Sequence, residues 1–331
     1  MRKLESSKKV GWIKTMNSLG KKKIPFLFIL DFELHNPIVF PLDKLPKNIY
    51  YKVNNIKNYS LSGILAKPLI FKKKPVQSDT YIKAFDQILK EINYGNSFLI
   101  NLTFPTEIST NYTLRELFNV SQAKYKLYFD DRFIVSSPEP FVKITNEKIY
   151  TFPMKGTIDA SIPNAMEIIQ NDAKEMAEHY TIVDLLRNDL SKVSKNVKVN
   201  RFRFIERLQT NNKNLFQVSS EIEGQLSSDF HSHIGNIFES ILPAGSISGA
   251  PKKKTVEIIK TVELDNRGYY TGVFGIFDGR NLDSAVMIRY IEQCKNKLIY
   301  RSGCGITNMS DCMTEYNEMI DKIYVPINRK Y

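Results

Sequence analysis

Two short stretches place ionisable groups where the chain turns. SSPEPF (136–141) holds Glu139 between two prolines, and TFPMKGT (151–157) holds Lys155 ahead of a Gly-Thr step. Between them FVKITNEKIYTF reads as two strands joined by a turn. With Asn146, Glu147 and Lys148 as a three-residue turn, Thr145 faces Ile149, Ile144 faces Tyr150 and Val142 faces Phe152, which makes one face apolar. The same register, extended, sets Glu139 opposite Lys155 with Cβ atoms roughly 5 Å apart. Two readings fit such a pair: a cross-strand salt bridge, or a nucleophilic or basic lysine with a carboxylic acid beside it. The pair alone does not decide between them.

Further carboxylates recur at helical spacing. NDAKEMAEHYTIVDLLRNDL carries Glu175 and Glu178 on one helix face, and TEYNEM carries Glu315 and Glu318. Solvated helix faces would look the same. Should the two helices converge, these hard oxygen ligands suit Mg²⁺, which keeps several waters and takes one or two carboxylates plus substrate. Zinc is not suggested by the four histidines. His231 and His233 diverge at a helix start, and His179 beside Glu178 reads as supporting or structural. ILPAGSISGAPKKKTVEII is a Gly/Ser loop leading through Pro251 into an amphipathic helix. Free N–H groups at a helix start favour an anion. The loop is neither a Walker A loop nor GxGxxG. A second small-residue loop, Gly303-Cys304-Gly305, follows Arg301. With Arg289 and a metal, these loops suit a substrate bearing more than one carboxylate.

The elements that must position these groups follow from periodicity. Tyr81, Phe85, Ile88, Leu89 and Ile92 mark a helix closed by Gly95. SFLINLTF is a strand, and KYKLYF and RFIVSS form a hairpin about Asp130-Asp131-Arg132. A long helix is expected from about Asn164 to Leu190, strands over 197–223, and a helix through Phe230–Ile241. YYTGVFGIF, AVMIRYIE and KLIYRSGCGIT are later strands, and a last helix starts near Asp311. Residues 42–78 form the loosest stretch. Hairpin-connected strands predict an α+β fold: antiparallel sheets in a central two-sheet core, flanked by helices.

Composition narrows the class. The 331 residues are 42% hydrophobic and carry a net charge of +12, which raises nucleic acid as a partner. The basic residues are scattered, however, and KKK at 21–23, 72–74 and 252–254 falls beside element starts or turns. A Lys-rich solvated surface fits better than a basic face with stacking aromatics. Three cysteines without a CxxC pair point to a reduced, cytoplasmic protein. IPFLFIL (24–30) runs into Asp31 without a cleavage site and reads as a buried strand. No apolar run approaches a membrane span.

From about residue 80 onward the chain resembles the chorismate-utilising enzymes. SPEPF, PMKGT, AEHYTIVDLLRNDL, LPAGSISGAPK, GYYTGVFGIFDG, AVMIRYIE and RSGCGITNMSDCMTEYNE carry the resemblance. Residues 1–78 look like a shortened version of the family's leading segment, so that 1–331 forms one chorismate-binding domain. A lysine in PxKGT is what the aminodeoxychorismate synthases show, where anthranilate synthases typically have Ala. The resemblance then implies that Lys155 attacks C2 of chorismate while Glu139 protonates the departing C4 hydroxyl. Ammonia adds at C4 and expels the lysine. It further implies Glu178 and Glu318 as Mg²⁺ ligands, with Glu175 and Glu315 helping. Ser246, Ser248, Gly249, Arg301, Gly303 and Gly305 match carboxylate-binding positions, and Arg289 joins them.

Departures from the family pattern carry information. Leu99 stands where isochorismate and salicylate synthases place a water-activating lysine, which argues against both activities. Gln217 stands where the family has a histidine near the ring. The short N-terminus gives no reason to expect feedback inhibition by tryptophan. The expected activity is that of aminodeoxychorismate synthase component I, in folate biosynthesis. Anthranilate synthase component I is the alternative, and a non-catalytic basic binding protein is a third reading. No glutaminase motif is visible, so a separate glutamine amidotransferase subunit, or ammonium itself, is expected to supply the ammonia.

Overall fold

The computed structural model describes residues 2–60, 67–209 and 214–327. Its centre is the run that the sequence makes most apolar. Phe26–Leu30 is a strand with all five residues fully buried. Successive side chains of a strand point to opposite faces. Phe26, Phe28 and Leu30 therefore join one apolar cluster, and Leu27 and Ile29 another. With both faces covered the strand reads as a continuous apolar run rather than an alternating one. Each buried Phe or Leu contributes roughly 1.5–3 kcal/mol.

Two antiparallel sheets stack face to face. The first runs Met154–Asp159, Asn214–Gln225, Lys148–Thr151, Pro140–Thr145, Leu282–Val286, Val273–Phe277, Phe26–Leu30, Ile38–Pro41, with Lys195–Gln209 also on Asn214–Gln225. The second runs Gly249–Ala250, Leu99–Thr110, Lys297–Ile306, Tyr290–Cys294, Phe133–Ser137, Tyr125–Phe129, Ile49–Val53, Ile56–Lys57, with Phe71–Lys74 also on Leu99–Thr110. Leu27, Ile29, Phe274 and Ile276 of the first sheet meet Tyr51, Leu127, Phe133 and Val135 of the second. Helices Arg2–Lys21, Ala173–Ser191 and Ile234–Ile241 cover the outer face of the first sheet. Helices Ser78–Asn93, Lys252–Val262 and Cys312–Asp321 cover that of the second. The α+β expectation holds. Among the described residues no helix is long and apolar enough to cross a membrane.

The chain changes sheets twice, side by side. Phe133–Ser137 belongs to the second sheet and Pro140–Thr145 to the first, so the crossing falls at Pro138 and Glu139. Leu282–Val286 belongs to the first and Tyr290–Cys294 to the second, with the crossing at Met287–Arg289. Val286 N donates to Glu139 O at 3.1 Å, and Ser136 N donates to Arg289 O at 3.2 Å. AVMIRYIE is therefore two strands, bent where Arg289 adopts a φ of +50°.

Several expectations need correction. The hairpin turn has two residues, not three: Thr145 faces Lys148 and Ile144 faces Ile149. Asn146 and Glu147 both have positive φ, as in the tight turn that matches strand twist. Lys155 pairs with Val218 on another strand, so Glu139 is not its cross-strand neighbour. The long helix is broken at Asp172, whose extended backbone ends Ala165–Asn171 and whose side chain accepts from Glu175 N at 2.8 Å to cap Ala173–Ser191. Within the loose 42–78 stretch, Ile49–Val53 is a half-buried strand. The strands expected over 197–223 form, and 210–213 lie outside the described residues.

Two predictions follow from local geometry. Gly249 has a φ of +134°, and a Cβ there would lie 1.9 Å from Leu99 O. Gly249→Ala is expected to cost about 1–3 kcal/mol, read as a lower denaturant midpoint with unchanged slope. Glu223 accepts from Asn200 Nδ2 at 2.8 Å and meets Lys198 at 3.2 Å and Lys148 at 3.3 Å. The Asn200 hydrogen bond, with the two lysines, pulls its carboxyl down to about 2. A depressed carboxylate stabilises the fold above its unfolded value and loses that contribution as pH falls toward the folded one. Glu223→Gln should lower the melting temperature by roughly 2 °C at pH 7, and the difference should vanish as pH approaches 2.

Candidate active site

Lys155 is aimed by a β-bulge. The ladder between Met154–Asp159 and Asn214–Gln225 shifts register between Lys155 and Thr157, and a bulge re-aims the side chain beside it. Gly156, at a φ of +76°, makes room there: a Cβ would lie 3.2 Å from Glu175 Oε2. The lysine crosses to the helix Ala173–Ser191 and meets Glu178 Oε2 in direct contact. Glu178 is 5% exposed. Burial alone would lower the Lys155 pKa. The Glu178 contact, with Glu175 and Glu318 behind it, more than offsets this, and the net direction is up. The resting lysine is an ammonium.

These groups border a cavity of about 870 Å³. Glu139, Lys155, Glu175, Glu318, Ser246, Gly249, Arg289, Arg301, Gly303 and Gly305 line it, as do Leu99 and Gln217. Glu139 thus reaches the same space as Lys155 by a different route from the one expected: it sits on a sheet crossing, not across a hairpin. Its Oε1 accepts from Ser246 Oγ at 2.6 Å. Exclusion of solvent lifts its carboxyl above the ordinary range, against the opposing pull of Ser246, Arg289, Lys322 and Lys155. A carboxyl so raised is suited to donate a proton.

Three expected positions face elsewhere. Ser248 is fully buried and its hydroxyl donates to Ala244 O at 2.9 Å, so its oxygen is committed to its own loop. Glu315 is 2% exposed, and its Oε1 accepts from Ser310 Oγ at 2.8 Å. Glu178 borders the cavity through Lys155 and lines a neighbouring hollow of about 350 Å³ with Leu99 and Thr181. The helix start after Pro251 is also absent from the cavity wall. Lys252 there turns inward to Asp189 Oδ2 and Ile241 O, at 2.6 Å each. Gly249 and Ala250 are instead held as a two-residue strand against Leu99 and Ile100. His179 is buried with Nε2 2.7 Å from Ser220 Oγ, and burial pushes it down to about 4, so it is neutral.

The cavity is polarised. Arg289, Arg301 and Lys322 stand along its wall with Tyr270 and Tyr324, while Glu175 and Glu318 flank Lys155. Arg289 Nε is buried without a hydrogen-bond partner. Arg301 Nε donates to Glu292 Oε1 at 2.6 Å, so part of its charge is met inside the protein. Lys322 was not expected. It contacts Glu318 Oε1 at 2.7 Å and donates to Gly303 O at 3.1 Å. The signal was available, because Lys322 lies four residues after Glu318, at the C-cap of the same helix.

The carboxylates admit a divalent cation by their charge. Glu175 Oε2 is buried and lacks a hydrogen-bond partner, and Glu178 and Glu318 act on it electrostatically. Among the described residues no three His, Cys, Asp or Glu side chains already converge as a metal cluster. Lys155 occupies Glu178 instead. Hard carboxylate oxygens of this kind suit Mg²⁺, with substrate or water needed to complete a shell.

Comparison with known proteins agrees with this fold. The chorismate binding enzyme family matches residues 59–328. The chain is 48% identical over 319 residues to an uncharacterized PabA-like protein of Pasteurella multocida (strain Pm70), covering 96% of this chain and 98% of that one. It is 32% identical over 269 residues to aminodeoxychorismate synthase component 1 of Bacillus subtilis (strain 168), covering 76% of this chain and 55% of that protein. It thus spans about half the length of the Bacillus relative. Its fold is shared with MenF, the menaquinone-specific isochorismate synthase from Escherichia coli, at a TM-score of 0.70 and 14% identity, over 94% of this chain and 79% of that one. At that identity the likeness is one of fold. With the family model matched across most of its length, the chain belongs to the chorismate binding enzymes.

Proposed function

We propose that this protein aminates chorismate at C4, as an aminodeoxychorismate synthase component I acting in p-aminobenzoate and folate biosynthesis. One observation carries the reading. A lysine, Lys155, and a half-buried carboxyl with raised pKa, Glu139, face one cavity, while the apolar Leu99 lines the same wall. A side chain without a basic nitrogen at position 99 leaves water unactivated there, and an amine is the better nucleophile.

In this reading the Lys155 amine forms a bond to C2 of chorismate as the ring double bond shifts and the C4–O bond breaks. Glu139 gives its proton to the departing hydroxyl, which leaves as water. Ammonia then bonds to C4 as the ring double bonds shift back and the C2–N bond breaks, Lys155 recovers its electron pair, and the surplus ammonium proton returns to Glu139. Ser246 orients Glu139 through the 2.6 Å hydrogen bond. Arg289 and Arg301, with the backbone of Gly303 and Gly305, receive the substrate carboxylates. Glu178, Glu318 and Glu175 would hold Mg²⁺, while the Glu315 carboxylate accepts from Ser310. A bound Mg²⁺ would neutralise the ring carboxylate and the glutamates around Lys155. Freed of that attraction, Lys155 gives up its proton more readily.

Ammonia is supplied from outside the described cavity, by a glutamine amidotransferase subunit. The cysteines support this. Cys304 is fully buried, its thiol pushed up to about 12, and bonded with Tyr81 Oη at 3.1 Å; Cys294 is exposed on a strand. Burial raises the thiol of Cys312 as well, so neither it nor Cys304 has the lowered pKa of a catalytic thiolate.

The product assay uses purified protein with chorismate, Mg²⁺ and concentrated ammonium at alkaline pH, followed by mass spectrometry. The expected product keeps its enolpyruvyl group and has the C4 hydroxyl replaced by an amine. Anthranilate as the product would overturn the regiochemistry. Glu139→Gln should lower kcat by roughly 10²–10⁴-fold. Lys155→Ala should abolish amination, and turnover at the wild-type rate would sink the covalent step.

A further inference from the structure

The loop wall of the cavity is held by a buried arginine that does not line it. Arg267 is 1% exposed, and every donor group of its guanidinium is engaged. It grips Glu263 as a fork, Nε to Oε2 at 2.9 Å and Nη2 to Oε1 at 2.6 Å. Nη1 donates to Ile247 O at 2.7 Å, and Nη2 donates to Asn101 O at 2.6 Å. The same two segments are joined again by Asn101 N donating to Ser248 O at 2.9 Å. Glu263 Oε1 also accepts from Thr103 N at 2.9 Å. Behind the arginine, Glu33 accepts from Arg267 N at 2.9 Å and Gly268 N at 3.0 Å, and the Phe32 ring lies 4.6 Å from the guanidinium carbon. Only a planar fork with several donors can serve one carboxylate and two carbonyls together.

Ile247 directly follows Ser246, and Ser246 is the residue that hydrogen-bonds Glu139. We propose that Arg267 is a positioning residue for Glu139: by fixing Ile247 and Asn101 it keeps the Ser246 hydroxyl on Glu139 Oε1. This rests on the proton-donor role given to Glu139 above. A lysine at 267 keeps a positive charge for Glu263 but cannot reach both carbonyls. The loop then loosens without leaving a bare buried carboxylate.

The test combines hydrogen exchange with a double-mutant cycle on full-length protein. In Arg267→Lys, amides in 99–103 and 245–249 should lose protection, while those of Phe26–Leu30 keep it. Turnover of chorismate with ammonium should show kcat lowered about 10-fold or more with KM little changed, since misplacement of a reacting group by about 1 Å costs up to 10²-fold. Ser246→Ala in the Arg267→Lys background should cost little further, because both act through one hydrogen bond. Unchanged exchange, loss of protection throughout the fold, or losses that multiply would each overturn the proposal. If the lysine variant does not fold, Arg267→Gln with Glu263→Gln removes both buried charges together and is read the same way. If the wild type leaves chorismate untouched, the proposed reaction fails and the positioning role falls with it, while the exchange pattern separately reads whether Arg267 holds the loop.

Discussion

Two neighbouring strands leave their sheets at the same level of the molecule, and the cavity takes its shape from that double crossing. A strand passing between stacked sheets must give up ladder hydrogen bonds over a few residues, and those groups need other partners. Here the two crossings satisfy each other, through Val286 to Glu139 and Ser136 to Arg289. The result is a rigid pair of backbone bends that present a carboxyl and a guanidinium to one space. Both side chains sit where a strand crosses between sheets, and the backbone there is paired to the neighbouring crossing.

The opposite wall is built from helix starts and ends. Asp172 breaks what would be one helix into two and caps the second. That break sets Glu175 in a first helical turn, where a negative charge is favoured. Glu178 follows on the same face, and the bulge at Lys155 and Gly156 brings the lysine to it. The third side, from Gly245 to Gly249, is fixed by backbone pairing with Leu99 and Ile100 and by the arginine behind it. Sheet crossings, capped helices and a pinned loop thus contribute different groups to a single cavity.

Much of this was legible in the sequence, and the failures have physical causes. The apolar run at Phe26–Leu30, the hairpin at Tyr125–Ser137 and the capped final helix were readable because local periodicity and turn chemistry agree with the fold. The chemical residues were readable because long motifs bring Lys155, Glu139 and the paired glutamates together in one pattern. The crossing at Arg289 was not, because AVMIRYIE is apolar on both sides of the bend and periodicity cannot register a change of sheet. The hairpin register slipped by one, since Asn146-Glu147 is a less familiar left-handed pair than Asn-Gly. Ser248 and Glu315 carry suitable chemistry but point into the protein, and motif spacing contains no information about that direction.

The contact between Lys155 and Glu178 bears on how such a site can be assembled. A cluster of glutamates on converging helices would repel itself while the chain is compacting, before any ligand arrives. The lysine supplies an internal counter-ion, so the carboxylate wall can close as a locally balanced unit. Lys155 thus faces the cavity and at the same time balances the charge of the glutamates around it.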